Sequence, residues 1–224
     1  MTDRKADLKF SAFGVAFFRT RSETMQAAIQ QMFRDSAAVK LRFVEQYAPR
    51  IEAVARRMAE TLRRGGKILF FGNGGSAADA QHLAAELVNK FLHNREALAA
   101  IALTTDTSAL TAIGNDLGFD QVFSRQVEAL AHAGDVVIAI STSGNSPNVL
   151  RGVEAARRLG CVTVGLTGGS GGSLAAAVDE AFVVPSSETP RIQETHVTLG
   201  HALCATVDEI LLSIGNPASR ENDG

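Results

Sequence analysis

The sequence predicts an α/β protein built on a doubly wound, five-stranded parallel sheet flanked by helices, with an N-terminal helical segment before the sheet. Two observations lead to this prediction. Five short stretches are almost continuously apolar, which is typical of strands covered on both faces, and segments with helical periodicity lie between most of them. The apolar stretches are residues 67–72, 99–105, 134–141, 161–167 and 180–185.

The chain before the first strand has a helical pattern from about residue 25. Apolar residues recur there at helical spacing, and residues 22–24 offer an N-cap. Pro49 predicts a break, so we expect two helices, the second of which ends at the glycines 65–66. Residues 1–24 are predicted to form an extension, either poorly ordered or packed as a helix on a partner subunit.

The remaining helices follow from the same periodicity. Three lie between the strands, and a long one closes the domain after Pro190. Residues 25–216 are therefore expected to form a single domain, followed by a polar tail at residues 217–224. The helices are expected within residues 76–91, 119–131, 145–160 and 191–214.

Composition excludes several classes of protein. Hydrophobic residues make up 46% of the chain and charged residues 21%, which fits a globular protein with a full core. A net charge of −2 does not indicate binding to nucleic acid or to an anionic membrane surface. No apolar run approaches the roughly 20 residues of a membrane helix. Cys161 and Cys204 lie in an expected buried strand and helix, which predicts free thiols and a cytoplasmic location.

Small polar residues collect where the predicted strands end. Ligands of doubly wound sheets bind outside the carboxyl ends of the strands, so this concentration of hydroxyl groups and glycines predicts a binding site there. The segments that follow the first four strands are residues 73–76, 104–106, 141–146 and 167–169.

The loop at 141–146 is the best candidate for holding a phosphate group. Ser141, Thr142, Ser143 and Ser146 supply four hydroxyls before a helix whose first turn would contain Pro147. Free amide groups and the helix dipole favour an anion at such a position. The alternative is that Ser146 only caps the helix and the other hydroxyls satisfy the backbone of the turn.

The loop at the end of the first strand also fits a loose dinucleotide pattern. Gly72, Gly74 and Ala77 match G-x-G-x-x-A, and Asp106 follows the second strand, beyond the usual offset of a ribose-binding acid. A tight strand-to-helix turn that only needs small residues explains the same pattern. A dinucleotide site would also leave the hydroxyl-rich loop unexplained.

His82 and Glu86 lie four residues apart on a predicted helix, so their side chains share a face. A pair of this kind can bind a divalent metal such as Zn²⁺ or act as an acid and a base. The alternative is an exposed pair without a function.

The closing helix supports the functional interpretation of this pair. Gln193 and His201 lie about 80° apart around the helix axis, so both can face His82 and Glu86. Three other histidines are expected to lie in solvent or to serve packing: His93, His132 and His196.

Four motifs together resemble the sugar isomerase (SIS) domain proteins and, within them, the phosphoheptose isomerases. They occur in one order and fall within residues 67–201, and the helical lead-in from about residue 25 also fits. The motifs are GNGGSAADAQHLAAEL, ALTTDTSALTAIGND, STSGNSPNVL and TPRIQETHVTLGH.

The resemblance implies a role for each matching residue. Glu86 and His201 would be the acid/base residues. One Zn²⁺ per subunit would be held by His82, Glu86, Gln193 and His201. The sugar phosphate would contact Asn73, Gly74, Gly75, Glu86, Asn115, Asp116, Ser141, Thr142, Ser143, Ser146 and Gln193.

The resemblance also implies a reaction and a setting. Sedoheptulose 7-phosphate would be converted to D-glycero-D-manno-heptose 7-phosphate through an enediol, an early step toward ADP-heptose and the lipopolysaccharide core. The family is cytoplasmic and homotetrameric, and it acts on a small molecule rather than on nucleic acid or membranes. Lys90 stands where many relatives have an arginine, which leaves its contact in question.

Other members of the same fold remain as alternatives. One sister group binds the replication initiator and is not enzymatic, but it lacks the equivalents of Glu86 and His201, both of which are present here. Regulatory SIS modules are usually fused to a DNA-binding domain, for which this sequence shows neither the length nor the charge. An isomerase for a shorter phosphate sugar also stays open.

Overall fold

The computed structural model describes residues 25–215 of the 224-residue chain. The described residues divide into two units: residues 25–34, which are the first part of the first helix, and residues 35–215, which contain the sheet and the other helices. The predicted extension at 1–24, with its N-cap, and the predicted tail at 217–224 lie outside the described residues.

Strands and helices alternate along the described chain, as the sequence predicts. A short 3-10 helix, Phe119–Gln121, precedes the fourth α-helix. The α-helices are α1 (Met25–Arg63), α2 (Gly75–Val88), α3 (Thr107–Asp116), α4 (Ser124–Leu130), α5 (Pro147–Arg158), α6 (Gly172–Ala177) and α7 (Thr189–Gly215). The strands are β1 (Ile68–Gly72), β2 (Ala100–Ala102), β3 (Val136–Ile140), β4 (Val162–Gly168) and β5 (Glu180–Val184).

The five strands form one parallel sheet in the order β2-β1-β3-β4-β5, which confirms the predicted fold class. The chain builds outward from β1 to β2 and then crosses to the other side of β1 to add β3. This reversal leaves a crevice between the carboxyl ends of β1 and β3, where doubly wound sheets bind their ligands.

The core has two layers, one on each face of the sheet. Neighbouring side chains of β1 point to opposite faces: Phe70 packs with α1, α2 and α7, while Phe71 packs with α4 and α5. Phe71 stacks on Phe123 at a ring distance of 5.0 Å. Every residue of β1 and β3 is buried, which explains why their sequences are continuously apolar.

Helix α1 is continuous, so the predicted break at Pro49 is wrong. Proline removes the donor that would reach the carbonyl group of Glu45. Both residues are exposed, so this carbonyl lies on the solvent side of the helix. Buried Tyr47 and Ile51 on either side of Pro49 hold α1 against the core, and this packing outweighs the lost hydrogen bond.

Two helices of the structure, α3 and α6, were not predicted. Helix α3 begins after Asp106, whose carboxylate accepts a hydrogen bond from the amide of Ala109 at 2.9 Å. Helix α6 has only six residues and starts at Gly172 in a glycine-rich segment, where local propensity argues against a helix. Packing of Leu174 into the core stabilises it.

The cysteines behave as predicted, since both are buried and free. Burial raises the pKa of Cys161 to about 11 and that of Cys204 to about 12, so each stays a neutral thiol. His93 and His132 have exposed side chains, as expected. Among the helices of residues 25–215, none combines the length and apolarity that crossing a membrane requires.

Helices α2 and α7 approach each other closely at Gly200. A Cβ atom built at Gly200 would overlap the end of the Leu83 side chain, which is 2% exposed. Because Leu83 is packed on all sides, it cannot move aside without disturbing the core. The glycine therefore sets the distance between the two helices.

We expect Gly200→Ala to lower the free energy of unfolding by about 1–3 kcal/mol, because overpacking a filled core costs about that much. Denaturant titration measures this change. Gly114→Ala is the matched control, since it also adds a methyl group to a helical glycine but finds only Val122 Cγ1, at 3.9 Å. The control is expected to be neutral or stabilising, and equal losses in both variants would contradict the packing argument.

Candidate active site

A pair of amide side chains joins the loops that follow β1 and β3. Asn73 Nδ2 donates to Asn148 Oδ1 at 2.8 Å, and Asn148 Nδ2 donates back to Asn73 Oδ1 at 2.9 Å. Asn148 is 3% exposed and lies in the first turn of α5. Asn148 was not identified as a site residue from the sequence, where the only hint of such a role was its position directly after Pro147.

The loop from Ser141 to Ser146, the β3–α5 loop, is shaped by glycines. Gly144 has a φ of 67°, and a Cβ there would overlap the carbonyl oxygen of Gly171. The carbonyl of Gly144 accepts from the amide of Leu174 at 2.9 Å. The loop is therefore pressed against the start of α6, which fixes its backbone.

Polar groups of the β3–α5 loop remain available to an anion. Ser143 is exposed, and the amides of Thr142 and Ser143 donate to no protein acceptor within residues 25–215. Helix α5 begins at Pro147, as predicted, but the side chain of Ser146 makes no capping bond. Instead, the hydroxyls of Ser141 and Ser146 share a hydrogen bond of 3.1 Å. These features favour the anion-binding interpretation over simple capping.

His82, Glu86 and His201 come together at the contact between α2 and α7. The Nε2 atoms of His82 and His201 lie 2.7 Å apart, and Glu86 Oε1 lies 3.6 Å from His82 Nε2. The two imidazole rings meet edge to face, with centroids 5.0 Å apart. The Nε2 atoms of the two rings therefore converge on one point, and which of them carries a proton depends on the tautomer.

This cluster fits a divalent metal by the chemistry of its donors. One potential ligand atom from each of the three residues lies within 4.8 Å of the others. Two imidazole nitrogens and a carboxylate oxygen are a common zinc set, and catalytic zinc sites keep a further position open. Among the described residues, this is the one group of three histidine, cysteine or acidic side chains with that geometry.

Gln193 reaches the glycine loop from α7. A Cβ at Gly75 would overlap the Nε2 atom of Gln193, so the amide lies directly over the start of α2. Gly75 has to be a glycine for this approach, which gives the GNGGS segment a packing reason as well as a chemical one.

Two predicted substrate residues make no hydrogen bond to the loops or the cluster within residues 25–215. Asn115 and Asp116 are exposed at the end of α3, where Asn115 Nδ2 donates to Asp116 Oδ1 at 2.7 Å. Lys90 is also exposed and donates to Asn94 Oδ1 at 2.9 Å. Asp106, considered for a ribose contact, instead caps α3 through Ala109, so nothing here favours the dinucleotide pattern.

Asp79 is a further polar residue near the cluster that sequence reasoning missed. Burial raises the pKa of its carboxyl group, and the nearby His82 only partly opposes this effect. Oδ2 of Asp79 is buried and has no hydrogen-bond partner among the described residues. The available signal was its position one turn before His82 on α2.

His196 packs inside the protein rather than facing the cluster. Its side chain is 1% exposed, and Nε2 lies 3.1 Å from the carbonyl oxygen of Thr167. Burial lowers the pKa of His196 to about 4, although the bond to Thr167 opposes this shift. The imidazole is therefore neutral near pH 7, and Nε2 donates to the carbonyl at the end of β4.

The fold and the clustered polar residues define a class of protein: a doubly wound sheet with a ligand crevice where the strand order reverses. Comparison with known proteins assigns the family. A family model described as the SIS domain matches residues 31–168, more than half of the chain. The chain belongs to the SIS domain family.

The relatives place the chain within one group of that family. It is 57% identical over 187 residues to the phosphoheptose isomerase of Aquifex aeolicus, covering 84% of this chain and 98% of the relative. It is 58% identical over 190 residues to that of Solidesulfovibrio magneticus, covering 85% and 93%. The structure of phosphoheptose isomerase from Neisseria gonorrhoeae matches with a TM-score of 0.79 and 48% identity, over 83% of this chain and 100% of that one.

The chain is thus an isomerase of the phosphoheptose isomerase group. This assignment confirms the resemblance predicted from the four motifs, and it supports a role in sugar phosphate metabolism.

We expect the stability of the protein to fall in mild acid because of His196. The unfolded chain binds this proton near pH 6.5 and the folded chain only near pH 4, so the stabilisation is complete above about pH 6.5 and is lost as pH falls toward 4. The difference amounts to about 3 kcal/mol. Denaturant unfolding at several pH values measures it.

His196→Gln is expected to flatten this pH dependence, since glutamine does not titrate. His132→Gln, at an exposed position, is the control and should leave the slope unchanged. Equal slopes in the wild type and His196→Gln would show that other groups cause the acid sensitivity.

Proposed function

We propose that this chain converts sedoheptulose 7-phosphate to D-glycero-D-manno-heptose 7-phosphate. The observation that carries the proposal is the convergence of His82, Glu86 and His201 within 4.8 Å, on α7 and on α2, the helix that follows β1. The names of relatives at 57–58% identity support the choice of substrate.

Glu86 and His201 divide the proton transfers of the isomerisation between them. Glu86 takes the proton from C1 of the ketose, next to the carbonyl carbon C2, and returns a proton to C2 of the resulting enediol. His201 moves a proton between the oxygens on C1 and C2, so that the carbonyl group ends on C1. Both groups act at one end of the sugar, which agrees with their short separation.

A zinc ion would be held by His82, Glu86 and His201, with the amide oxygen of Gln193 as a fourth ligand. When bound, zinc supplies positive charge that polarises the reacting oxygens of the sugar. The chemistry of the donors supports zinc, since imidazole and carboxylate are among its usual ligands.

The β3–α5 loop binds the phosphate at the far end of the sugar. The hydroxyls of Ser141, Thr142, Ser143 and Ser146, together with the unpaired loop amides, supply the donors that a phosphate needs. Binding there positions the reacting end without taking part in the chemistry. The remaining contacts to the sugar come from Asn73, Gly74, Gly75, Asn115, Asp116 and Gln193.

The biological setting follows from the same resemblance and is part of the proposal. The product serves the synthesis of ADP-heptose for the lipopolysaccharide core, and the enzyme works in the cytoplasm as a homotetramer.

The deciding experiment is turnover of sedoheptulose 7-phosphate by the purified protein, with and without a chelator and added zinc. We expect formation of the heptose 7-phosphate, loss of turnover with the chelator, and recovery with zinc. Glu86→Gln should lower kcat by at least about a hundredfold, because acid/base catalysis contributes about that much or more. Its melting temperature should stay close to that of the wild type.

Glu52→Gln is the matched control, since it makes the same change at an exposed carboxylate of α1. It should keep full activity. A folded wild-type protein without turnover in the presence of zinc would contradict the proposed reaction. Full activity of the Glu86→Gln variant would show that Glu86 is not the catalytic base.

We expect Ser143→Ala to raise KM for the sugar phosphate roughly tenfold or more with little change in kcat. Losing a hydrogen bond to a charged group costs about 1.5–3 kcal/mol, and the phosphate is bound equally in the ground and transition states. Steady-state kinetics measures both constants. Ser213→Ala removes a hydroxyl near the end of α7 and serves as the control. An unchanged KM would mean that the phosphate binds elsewhere.

A further inference from the structure

The segment that joins α2 to β2, residues 89–98, contacts both helices of the candidate site. Its Phe91 ring stacks on the His201 ring, with centroids 5.3 Å apart and 29° between the planes. His93 Nε2 lies 3.2 Å from Glu209 Oε1 on α7, and the amide of Leu98 donates to the carbonyl of Leu87 on α2. The segment is therefore fastened to α2 and α7 at once.

Arg95 makes the central contact of this segment. Its Nε donates to Asp208 Oδ1 on α7 at 2.5 Å, and Nη2 donates to the carbonyl of Glu86 at 2.9 Å. Nη1 donates to the carbonyl of Leu87, also at 2.9 Å. The Arg95 side chain is 5% exposed and that of Asp208 is fully buried, so this ion pair is shielded from water.

The positions of these contacts relate them directly to the site. One carbonyl that Arg95 binds belongs to Glu86 itself, in the last turn of α2. Asp208 lies two helical turns after His201, only about 20° away around the axis of α7, so both share a face. The guanidinium group thus bonds to the backbone of one candidate acid/base residue and to the helix face that presents the other.

We propose that Arg95 and Asp208 form a positioning pair that fixes the separation of Glu86 and His201. This inference rests on the proposed function, because it assigns the pair a role through those two residues. A planar guanidinium can bond to a carboxylate and to two carbonyls simultaneously in a fixed geometry. A lysine at the same place keeps the charge but lacks this fork, so it would not hold both helices.

The competing explanation is that the pair only stabilises the fold. A second buried pair in the chain provides a matched control: Lys67 Nζ and Asp135 Oδ2 lie 2.7 Å apart, with side chains 19% and 3% exposed. These residues directly precede β1 and β3, so they lie at the edge of the sheet opposite the site. Breaking this pair costs stability without touching α2 or α7.

The test compares Arg95→Lys, Asp208→Asn and Lys67→Met with the wild type. For each, kcat and KM come from steady-state kinetics, zinc affinity from calorimetry of the metal-free protein, and the melting temperature from thermal unfolding. We expect Arg95→Lys to lower kcat and zinc affinity about 10- to 100-fold while KM changes little, since the phosphate loop is elsewhere. Asp208→Asn, which keeps the shape of the side chain, should give smaller losses of the same kind.

Lys67→Met should lower the melting temperature but keep kcat and zinc affinity within about twofold. The proposal is overturned if Arg95→Lys and Asp208→Asn keep wild-type kcat and zinc affinity, or lose no more than Lys67→Met. If Arg95→Lys does not fold, Asp208→Asn alone decides between the two explanations. If the wild-type protein binds zinc but does not turn over the substrate, the proposed reaction is wrong. The zinc affinities of the variants then decide whether Arg95 and Asp208 position the site. If the wild-type protein neither binds zinc nor turns over the substrate, both the proposed reaction and the positioning role are wrong.

Discussion

The site depends on the close packing of α7 against α2. Glycine at position 200 lets the helix backbones approach until Leu83 fills the space between them. Only at this distance do His82 and Glu86 on one helix meet His201 on the other. The proposed chemistry thus rests on a contact between segments more than a hundred residues apart in sequence. Side-chain packing has to specify this contact, because no covalent or local constraint does.

A second constraint of the same kind shapes the other end of the crevice. The β3–α5 loop turns at Gly144 and presses against Gly171, so that Gly144 has no room for a side chain. The reciprocal amides of Asn73 and Asn148 then join this loop to the one after β1. A backbone fixed in this way presents its amides and hydroxyls at little further entropic cost, which suits the phosphate site that we propose here.

The sheet could be predicted from the sequence because burial on both faces makes each strand continuously apolar. Packing between distant segments leaves no comparable pattern in the sequence. Pro49 lies inside a helix because packing on either side of it outweighs the tendency of proline to break a helix. Glycine-rich residues start α6 for a similar reason. The cluster could be predicted because its residues carry chemistry in a known motif. Asn148 and Arg95 could not, since their partners are Asn73 and Asp208, and single-sequence patterns do not pair residues that are distant along the chain.

Helix α7 also has to be held at one rotation about its own axis. His196 contributes to this because its Nε2–H donates to the carbonyl oxygen of Thr167 at the end of β4. His201 lies about 140° further around the axis and therefore faces α2 when His196 faces the sheet. Rotating α7 would leave a buried imidazole without a partner, which costs more than an exposed polar group would. Buried His196 thus helps to orient His201, which we propose as an acid/base residue.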